Sequence, residues 1–285
     1  MFIRIIARLD IKGPNLVKGV HLEGLRVLGK PELFARHYYE TGADELVYID
    51  AVASLYGRNS LLDIVERTAR EIFIPLTVGG GLRTVNDVRS VLRAGADKVS
   101  INTAAIHRPE LIREVATAFG SSTVVVSIEA IKNRDGTYEC YTDYGRERSG
   151  VDAFEWAIKA AELGAGELLV TSIEREGTGA GFDLELTRKI SEAVSIPVIA
   201  CGGAGSPEHV YDVIAKGNAQ AVSLASMLHY DYASRLEYRE GDFSEEGNIE
   251  FLKRGKPSYS NINPCNLLDL KGFLAKRGVA CRIQY

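Results

Sequence analysis

The sequence predicts a (β/α)8 barrel, an α/β fold, as one domain over residues 1–285 that is built from two half-barrel repeats. The first observation is an internal repeat. The stretch from Ile74, IPLTVGGGLRTVNDVRSVLRAGADKVSIN, returns from Ile196 as IPVIACGGAGSPEHVYDVIAKGNAQAVSLA. The second is that each copy alternates short β-rich apolar runs with helical segments. Four strand–helix units in each half favour a closed barrel over an open doubly wound sheet.

The repeat is wider than these two stretches. YYETGADELVYID from Tyr38 aligns at the same offset with AAELGAGELLVTS from Ala160. The first strand also has an echo, because IIARLDIK aligns with VVVSIEAIK and brings Asp10 over Glu129. The two halves therefore share one plan from the first strand onward.

Glycines mark the ends of the predicted helices. Left-handed caps are expected at Gly42, Gly95, Gly164 and Gly217. A Rossmann fold would instead need a G-x-G-x-x-G turn directly after the first strand, and LDIKGPN is not such a turn. This difference favours the barrel.

Composition limits the classes of function. With 46% hydrophobic residues, 25% charged residues and a net charge of −4, the chain has no electrostatic footprint for nucleic acid or an anionic membrane. Arg4, Arg8 and Asp10 interrupt the apolar N-terminus, so we expect a first strand in a cytoplasmic protein. The four cysteines lack C-x-x-C spacing, which favours reduced thiols over a metal site. No metal and no cofactor are expected.

Two glycine-rich turns follow the third and seventh predicted strands, at Gly79 to Gly81 and at Gly202 and Gly203. The fourth and eighth strands end in INTAA and LASML. Backbone N–H groups and small hydroxyls at these ends suit phosphate groups. The alternative is that the glycines serve only the tight turns. Two symmetric copies favour a long ligand with a phosphate at each end.

A series of motifs resembles a known family. The motifs, in order from about residue 2 to residue 230, are RIIARLD, VKGV, GADELVYID, PLTVGGGLR, AGADKVSIN, LGAGELLVTS, EGTGAGFDLELT and SIPVIACGGAG. They resemble the cyclase subunit of imidazole glycerol phosphate synthase. The resemblance implies a (β/α)8 barrel that docks a glutaminase at its bottom face. It also implies that ammonia passes through the barrel core and reacts at the top with a bisphosphorylated aminoimidazole ribotide.

The resemblance also implies roles for individual residues, beginning with acid–base chemistry at Asp10 and Glu129. Phosphate or substrate binding is implied for Gly81, Asn102, Thr103, Gly177, Thr178, Gly202, Gly203, Ala225 and Ser226. A charged gate at the channel entrance is implied for Arg4, Glu45, Lys98 and Glu167. All four lie at or just before predicted strand starts, where they can equally form a ring of structural salt bridges. Asp97, at the neighbouring strand start, is expected at the partner interface.

Three positions depart from the family pattern around the chemistry. The second acid–base position is Glu129 rather than aspartate, and the loop motif Asp-Arg-Asp-Gly-Thr is EREGT here, with Glu174 and Glu176. A small residue within the first strand is Arg8. Strand alternation puts Arg8 one layer beneath the two carboxylates. A guanidinium there would favour their ionised forms, so we expect it to work against an acid role and to narrow the ammonia route.

An insertion after the eighth strand separates Met227 from a closing helix at about Leu267 to Arg277. It covers approximately residues 229–265 and is rich in aromatic and charged side chains. Two interpretations of the insertion remain: a surface loop without a function of its own, or a lid or docking surface.

The insertion and the tail GNIEFLKRGKPSYSNINPC also resemble a side branch of the family, the acetamidino modification proteins of bacterial surface-sugar pathways. That resemblance implies a glutaminase subunit in a heterodimer, an ATP-using sugar amidotransferase, and a phosphorylated or sugar-nucleotide substrate. The hypothesis is therefore a synthase (lyase-type) subunit of an amidotransferase that serves amidine formation on a surface-sugar precursor. Two alternatives stay open: the histidine-pathway cyclase proper, and a catalytically silent ammonia conduit and scaffold.

Overall fold

The computed structural model describes residues 2–53, 61–236 and 261–283. Its strands are β1 (Arg4–Lys12), β2 (Asn15–Val20), β3 (Glu23–Gly29), β4 (Glu45–Asp50), β5 (Leu76–Gly79), β6 (Lys98–Ile101), β7 (Val124–Lys132), β8 (Tyr138–Thr142), β9 (Glu147–Asp152), β10 (Glu167–Ser172), β11 (Val198–Cys201) and β12 (Ala221–Leu224). Its helices are α1 (Pro31–Glu40), α2 (Leu62–Ala69), α3 (Val85–Arg93), α4 (Thr103–His107), α5 (Glu110–Phe119), α6 (Ala153–Glu162), α7 (Leu184–Ala193), α8 (Pro207–Ala215), α9 (Ser226–Ala233) and α10 (Leu267–Lys276).

Eight of the strands close a parallel barrel, which confirms the predicted fold. Around the barrel the order is β1, β4, β5, β6, β7, β10, β11 and β12, and β12 pairs back with β1 from Arg4 to Ala7. Helices connect successive parallel strands, as such crossovers require. The carboxyl ends of all eight strands form one rim, which we call the mouth, and their amino ends form the floor.

Side chains alternate between the barrel interior and the helices. The interior is filled by aliphatic side chains from six different strands: Ile6, Val47, Val125, Leu169, Ile199 and Ala221. Ile5 and Ala7, the neighbours of Ile6 along β1, belong instead to the larger core beneath the helices. This period of two puts Arg4, Ile6, Arg8 and Asp10 on the interior face, as the sequence predicts.

The helix ends follow the predicted chemistry with one exception. Gly42, Gly95 and Gly164 adopt left-handed φ values of 93°, 107° or 112° directly after helices. Gly217 does not, and the prediction for this position is wrong. The left-handed residue there is Asn218, at φ 56°, because asparagine tolerates this conformation better than most non-glycine residues.

Two β-hairpins were not predicted from the sequence. β2 and β3 follow β1, and β8 and β9 follow β7, so each half-barrel carries one hairpin at the equivalent place. Their tips hold consecutive non-glycine residues at positive φ: His21 and Leu22 in one, Asp143 and Tyr144 in the other. Leu22 and Tyr144 both pack into the interior cluster, so the tips meet over the mouth and cover it.

The first residues of the predicted insertion after β12 form part of a helix instead. His229 to Ala233, placed in the insertion, belong to α9, whose buried face includes Met227, Leu228 and His229. The closing helix forms as expected, as α10. Most of the predicted insertion, residues 237–260, lies outside the described residues. No helix within the described ranges is long and apolar enough to cross a membrane.

Candidate active site at the mouth of the barrel

Asp10 lies near the end of β1 beneath the hairpin tips and is only 1% exposed. Nε of Arg8 donates to Asp10 Oδ1 at 2.9 Å in a buried ion pair. Nη1 of Arg8 lies 3.3 Å from Thr171 Oγ1 and 3.4 Å from Cys201 Sγ, which holds the guanidinium against β10 and β11. The second carboxylate oxygen, Oδ2, has no hydrogen-bond partner among the described residues. Asp10 thus has a compensated charge and one oxygen available to accept a proton.

Glu129 occupies the equivalent position near the end of β7. It is buried, and Nδ2 of Asn102 donates to its Oε2 at 3.2 Å. Burial raises the pKa of Glu129 to about 7, and the nearby Asp10 carboxylate acts in the same direction. Arg8, together with hydrogen bonds from Gly145 and Asn102, offsets part of this increase in pKa. Glu129 can therefore hold and release a proton at neutral pH.

The expectation that Arg8 holds both carboxylates in their ionised forms is wrong for Glu129. The hydrogen bonds of the guanidinium go to Asp10, Thr171 and Cys201. Burial of the Glu129 carboxyl outweighs the attraction of the Arg8 charge, so the pKa of Glu129 rises instead of falling. The prediction that Arg8 lies next to Asp10 in the barrel interior is confirmed.

A second buried ion pair borders the first. Lys18 on β2 pairs with Glu176, which follows β10, and both side chains are almost fully buried. Burial raises the pKa of Tyr144 well above the usual range, and the charges of Asp10, Arg8, Glu176 and Glu129 are close enough to influence it. Tyr144 is therefore a neutral phenol. We call Arg8, Asp10, Lys18, Glu129, Tyr144 and Glu176 the central cluster.

A cavity of about 270 Å³ opens beside Glu129. Three predicted phosphate-binding residues line it: Gly81, Asn102 and Thr103. Arg83, His107 and Arg108 also line it, as does one further carboxyl residue, Asp50. The Thr103 hydroxyl accepts a hydrogen bond from the Asp143 backbone N–H at 3.0 Å, which ties the second hairpin to this pocket. The cavity therefore joins an anion-friendly rim to the carboxyl group of Glu129.

The predicted phosphate-binding residues of the other half lie across the mouth, at β10, β11 and β12. They are Gly177, Thr178, Gly202, Gly203, Ala225 and Ser226, and none of them lines the cavity beside Glu129. Gly177 packs against the first hairpin, where an added Cβ would lie 2.5 Å from the Gly19 carbonyl oxygen. Thr178 donates to the Arg175 carbonyl oxygen at 2.7 Å. Ser226 Oγ is buried without a partner among the described residues.

The four residues of the predicted gate meet at the floor. Arg4 Nη1 lies 2.7 Å from both Glu45 Oε1 and Glu167 Oε1. Lys98 Nζ lies 3.1 Å from Glu45 Oε2 and 3.2 Å from Glu167 Oε2. The result is a closed ring of alternating charge around the barrel axis, in which every side chain contacts two partners. The aliphatic interior cluster lies between this ring and Arg8.

The floor also presents an apolar surface around Asp97. Asp97 is exposed and its carboxylate accepts the Leu76 backbone N–H at 2.9 Å. It lines a groove of about 350 Å³ together with Phe73, a side chain that is 80% exposed. Phe2, at the start of β1, is 70% exposed. Two highly exposed phenylalanines near the barrel entrance are typical of a surface that binds a protein partner.

The departure in the EREGT loop motif lies partly at the edge of the site. Glu174 is exposed, and its Oε2 lies 3.3 Å from the Lys132 backbone nitrogen. It contacts the base of the second hairpin and belongs to neither buried ion pair. Of the EREGT motif, only Glu176 enters the central cluster.

Sequence reasoning missed Lys18 and Tyr144. The signal for Lys18 was its place in the VKGV motif, directly after the predicted first strand. Tyr144 aligns with Leu22 at the repeat offset, but the two side chains differ in chemistry, so the repeat did not indicate a phenol at this place. Among the described residues, no group of three or more His, Cys, Asp and Glu side chains could hold a metal ion.

The fold and the site define a class: a (β/α)8 barrel protein with a carboxyl pair and a small-residue rim at the carboxyl ends of its strands, where barrel enzymes have their active sites. Comparison with known proteins identifies the family. Residues 4–234 match the family described as "Histidine biosynthesis protein", and the chain belongs to this family.

Relatives with the name "Imidazole glycerol phosphate synthase subunit HisF" cover most or nearly all of the chain. The protein of Legionella pneumophila is 60% identical over 206 residues, which are 72% of this chain and 97% of that protein. That of Alkaliphilus metalliredigens is 49% identical over 231 residues, 81% of this chain and 92% of the relative. That of Thermococcus gammatolerans is 45% identical over 282 residues, 99% and 98% of the two chains.

Proposed function

We propose that this protein is the cyclase subunit of a glutamine-dependent imidazole glycerol phosphate synthase. The name of its relatives gives the product, imidazole glycerol phosphate, and the resemblance of its motifs implies ammonia and a bisphosphorylated aminoimidazole ribotide as the substrates. The observation that carries the proposal is the unlike environment of the two carboxyl groups at the mouth. Asp10 is ion-paired with one free oxygen, and Glu129 has its pKa raised to about 7 by burial. One base and one acid are what ammonia incorporation and ring closure require.

The cavity beside Glu129 supports a phosphorylated ligand. Gly80 and Gly81 turn at φ 99° and 72°, and an added Cβ on Gly80 would lie 2.6 Å from the Asp50 carbonyl oxygen. Only glycine fits this turn, which exposes backbone at the rim. Arg83, His107 and Arg108 line the same cavity and favour an anionic group. One phosphate of the ligand would bind here and the other near Gly203 and Ser226.

Access to Asp10 requires the hairpin tips to move. Asp10 does not line the cavity, and Tyr144 stands between the cavity and the Leu22 tip. The positive φ angles at both tips fit short turns that can open as units. In this proposal substrate enters beside Glu129, and displacement of Tyr144 brings it against Asp10.

The floor supports a glutaminase partner. Ammonia released there would pass the four-residue ring, the aliphatic interior and Arg8 before it reached Asp10. The exposed Phe2 and Phe73 and the neighbouring Asp97 offer an apolar surface with a charged residue beside it. A glutaminase that buries these phenylalanines would sit directly over the ring.

The experiment is to supply the purified chain with the bisphosphorylated ribotide and excess ammonium salt, which bypasses any partner. Turnover of about 1 per second or more, ordinary for an enzyme, is expected. Absence of product, with the ligand shown to bind, would overturn the cyclase proposal. In a second experiment, the chain is mixed with the glutaminase of the same genome, and glutamine should then replace the ammonium salt as the nitrogen source. Phe73→Asp should weaken the complex with the glutaminase without changing ammonium-dependent turnover.

A second candidate function rests on Arg8. Its guanidinium fills part of the barrel centre at the point where ammonia would emerge, and it is 1% exposed. A barrel that conducts ammonia past this side chain without reacting it can deliver ammonia to another enzyme, such as an ATP-using amidotransferase that forms an amidine on a surface-sugar precursor. Complex formation with such an enzyme, with amidine formed from glutamine and no turnover of the ribotide, would favour this candidate over the first. A catalytically silent ammonia conduit would also form amidine from glutamine without turnover of the ribotide. In that case Asp10→Asn should support amidine formation at the full rate.

A further inference from the structure

Arg8 has contacts that separate the two carboxyl groups of the mouth. We propose that Arg8 is a positioning residue that assigns the base role to Asp10 and leaves the acid role to Glu129. This inference rests on the proposed use of both groups in ammonia chemistry. From the sequence, the Arg8 guanidinium is expected to keep both carboxyl groups ionised and so to work against acid–base chemistry. The inference assigns Arg8 the opposite effect, because its contact is with Asp10.

The geometry fixes which carboxyl Arg8 serves. Thr171 and Cys201 hold Nη1, so that Nε faces Asp10 Oδ1 at 2.9 Å. This contact occupies only one oxygen of Asp10. Oδ2 is buried and has no partner among the described residues, and such an atom calls for an explanation. A base that must accept a proton from a bound ligand explains it, because Oδ2 keeps its lone pairs free.

The charges around the pair leave one carboxyl uncompensated. Arg8 pairs with Asp10, and Lys18 pairs with Glu176. Glu129 is the third carboxyl of the central cluster, and its hydrogen-bond donors are the neutral groups of Asn102 and Gly145. Since an unpaired buried carboxylate is costly, this third group is the one that keeps a proton.

The described residues also provide the other charged groups near the pair. The charged or titratable groups that face it are Arg8 on β1, Lys18 on β2, Asp50 at the end of β4, Tyr144 in the β8–β9 turn, Glu176 after β10 and Cys201 on β11. Tyr144 and Cys201 both have their pKa raised by burial and stay neutral near pH 7. Asp50 accepts the Val52 backbone N–H at 3.0 Å. Within the described part of the chain, Arg8 is thus the cation in direct contact with Asp10.

The test follows carboxyl protonation directly, by infrared spectroscopy of the full chain between pH 5 and pH 9. In the wild-type protein, one buried protonated carboxyl should titrate near pH 7, and Glu129→Gln should remove its band. In Arg8→Met, Asp10 loses its counter-charge, so a second protonated carboxyl should persist at pH 7. Arg8→Lys should return the protein to a single band. If the protonated-carboxyl band of the wild-type protein at pH 7 disappears in Asp10→Asn, then Asp10 and not Glu129 holds the proton. That result would overturn the proposal even before any Arg8 variant is measured.

Turnover with ammonium salt gives the second readout. Arg8→Met should lower kcat at pH 7 by about 10²-fold or more with little change in KM, since a positioned base contributes about 10² to 10⁴ in rate. Arg8→Lys should recover most of this loss. Unchanged protonation and an unchanged pH profile in Arg8→Met would show that Arg8 only fills space. The double variant Arg8→Met, Asp10→Asn removes both charges and controls for folding.

The two readouts separate this inference from the proposed function. The infrared titration needs no product. A chain that titrates as expected but never converts the ribotide would overturn the cyclase proposal and leave only the effect of Arg8 on the protonation of the two carboxyl groups. An Arg8→Met protein that converts the ribotide at the wild-type rate would overturn the role of Arg8 and leave the cyclase proposal standing.

Discussion

Glu45 and Glu167 occupy equivalent positions in the two half-barrels, and the structure gives them the same partners. Each contacts Arg4 at 2.7 Å and Lys98 at 3.1 or 3.2 Å. Asp10 and Glu129 are also equivalent, but one is ion-paired with Arg8 while the other has its pKa raised to about 7. The repeat is thus preserved in the interactions of the floor and broken in those of the mouth.

The difference comes from one side chain two residues before each carboxyl. On β1 this residue is Arg8, and on β7 it is Ser127. Both point into the barrel, so one carboxyl has a cation beneath it and the other a hydroxyl. Symmetric structure suits a charged ring, whereas acid–base chemistry requires two groups with different proton affinities.

The largest expected effect is at Asp10. Asp10→Asn should lower ammonium-dependent turnover by about 10³-fold, because an amide cannot accept the proton that Oδ2 is placed to take. Steady-state rates on the ribotide measure this change. Asp135→Asn, a change at an exposed carboxylate in the β7–β8 turn, is the matched control and should leave the rate unaltered. A fully active Asp10→Asn would show that the two halves do not divide acid and base roles.

Glu129→Gln should change how stability depends on pH. The folded pKa of about 7 exceeds the ordinary 4.5, so the folded protein binds more protons than the unfolded chain in this interval. Its unfolding free energy should therefore fall by about 3 kcal/mol as pH rises from 4.5 to 7. Glu129→Gln should remove that fall, which urea unfolding at pH 5 and pH 8 can measure. Glu110→Gln, at an exposed helix position, should reproduce the wild-type fall; equal falls in all three proteins would contradict the prediction.

The ring at the floor tests whether the two half-barrels are equivalent there. Glu45→Gln and Glu167→Gln should each destabilise the chain by about 2 kcal/mol, since each leaves Arg4 and Lys98 with one carboxylate instead of two. The two losses should agree within about 0.5 kcal/mol. Urea unfolding at pH 7 measures both. A loss confined to one of the two would show that the half-barrels differ at the floor as well.

The smallest expected effect is at Asn102. Its Nδ2 donates to Glu129 Oε2 at 3.2 Å and so stabilises the ionised carboxylate. Loss of a hydrogen bond to a charged group, about 1.5 kcal/mol, should raise the pKa of Glu129 by about 1 unit in Asn102→Ala. The infrared midpoint should move upward by that amount. Asn86→Ala, at an exposed position of α3, is the control, and a downward shift in Asn102→Ala would contradict the assigned donor.

Much of the fold could be predicted because it depends on local patterns that occur twice. Apolar runs, helical periodicity and capping glycines marked eight strand–helix units, and the alternation along β1 put Arg4 and Arg8 on one face. The hairpins escaped prediction because their tips use His21, Leu22, Asp143 and Tyr144 at positive φ, where glycine or asparagine is the usual signal. The left-handed position at Asn218 escaped for a similar reason.

The sequence by itself determined the barrel, its division into halves and the identity of the carboxyl pair, because periodicity and repeated motifs are properties of neighbouring residues. The resemblance of its motifs to a known family also named the four residues of the floor ring. Only the tertiary structure decided which carboxyl Arg8 contacts and which one keeps a proton. Those outcomes depend on burial and on Thr171, Cys201 and Asn102, which lie on other strands or at their ends. The free energy of a buried charge is set by everything around it in space, and closure of the barrel brings those groups together.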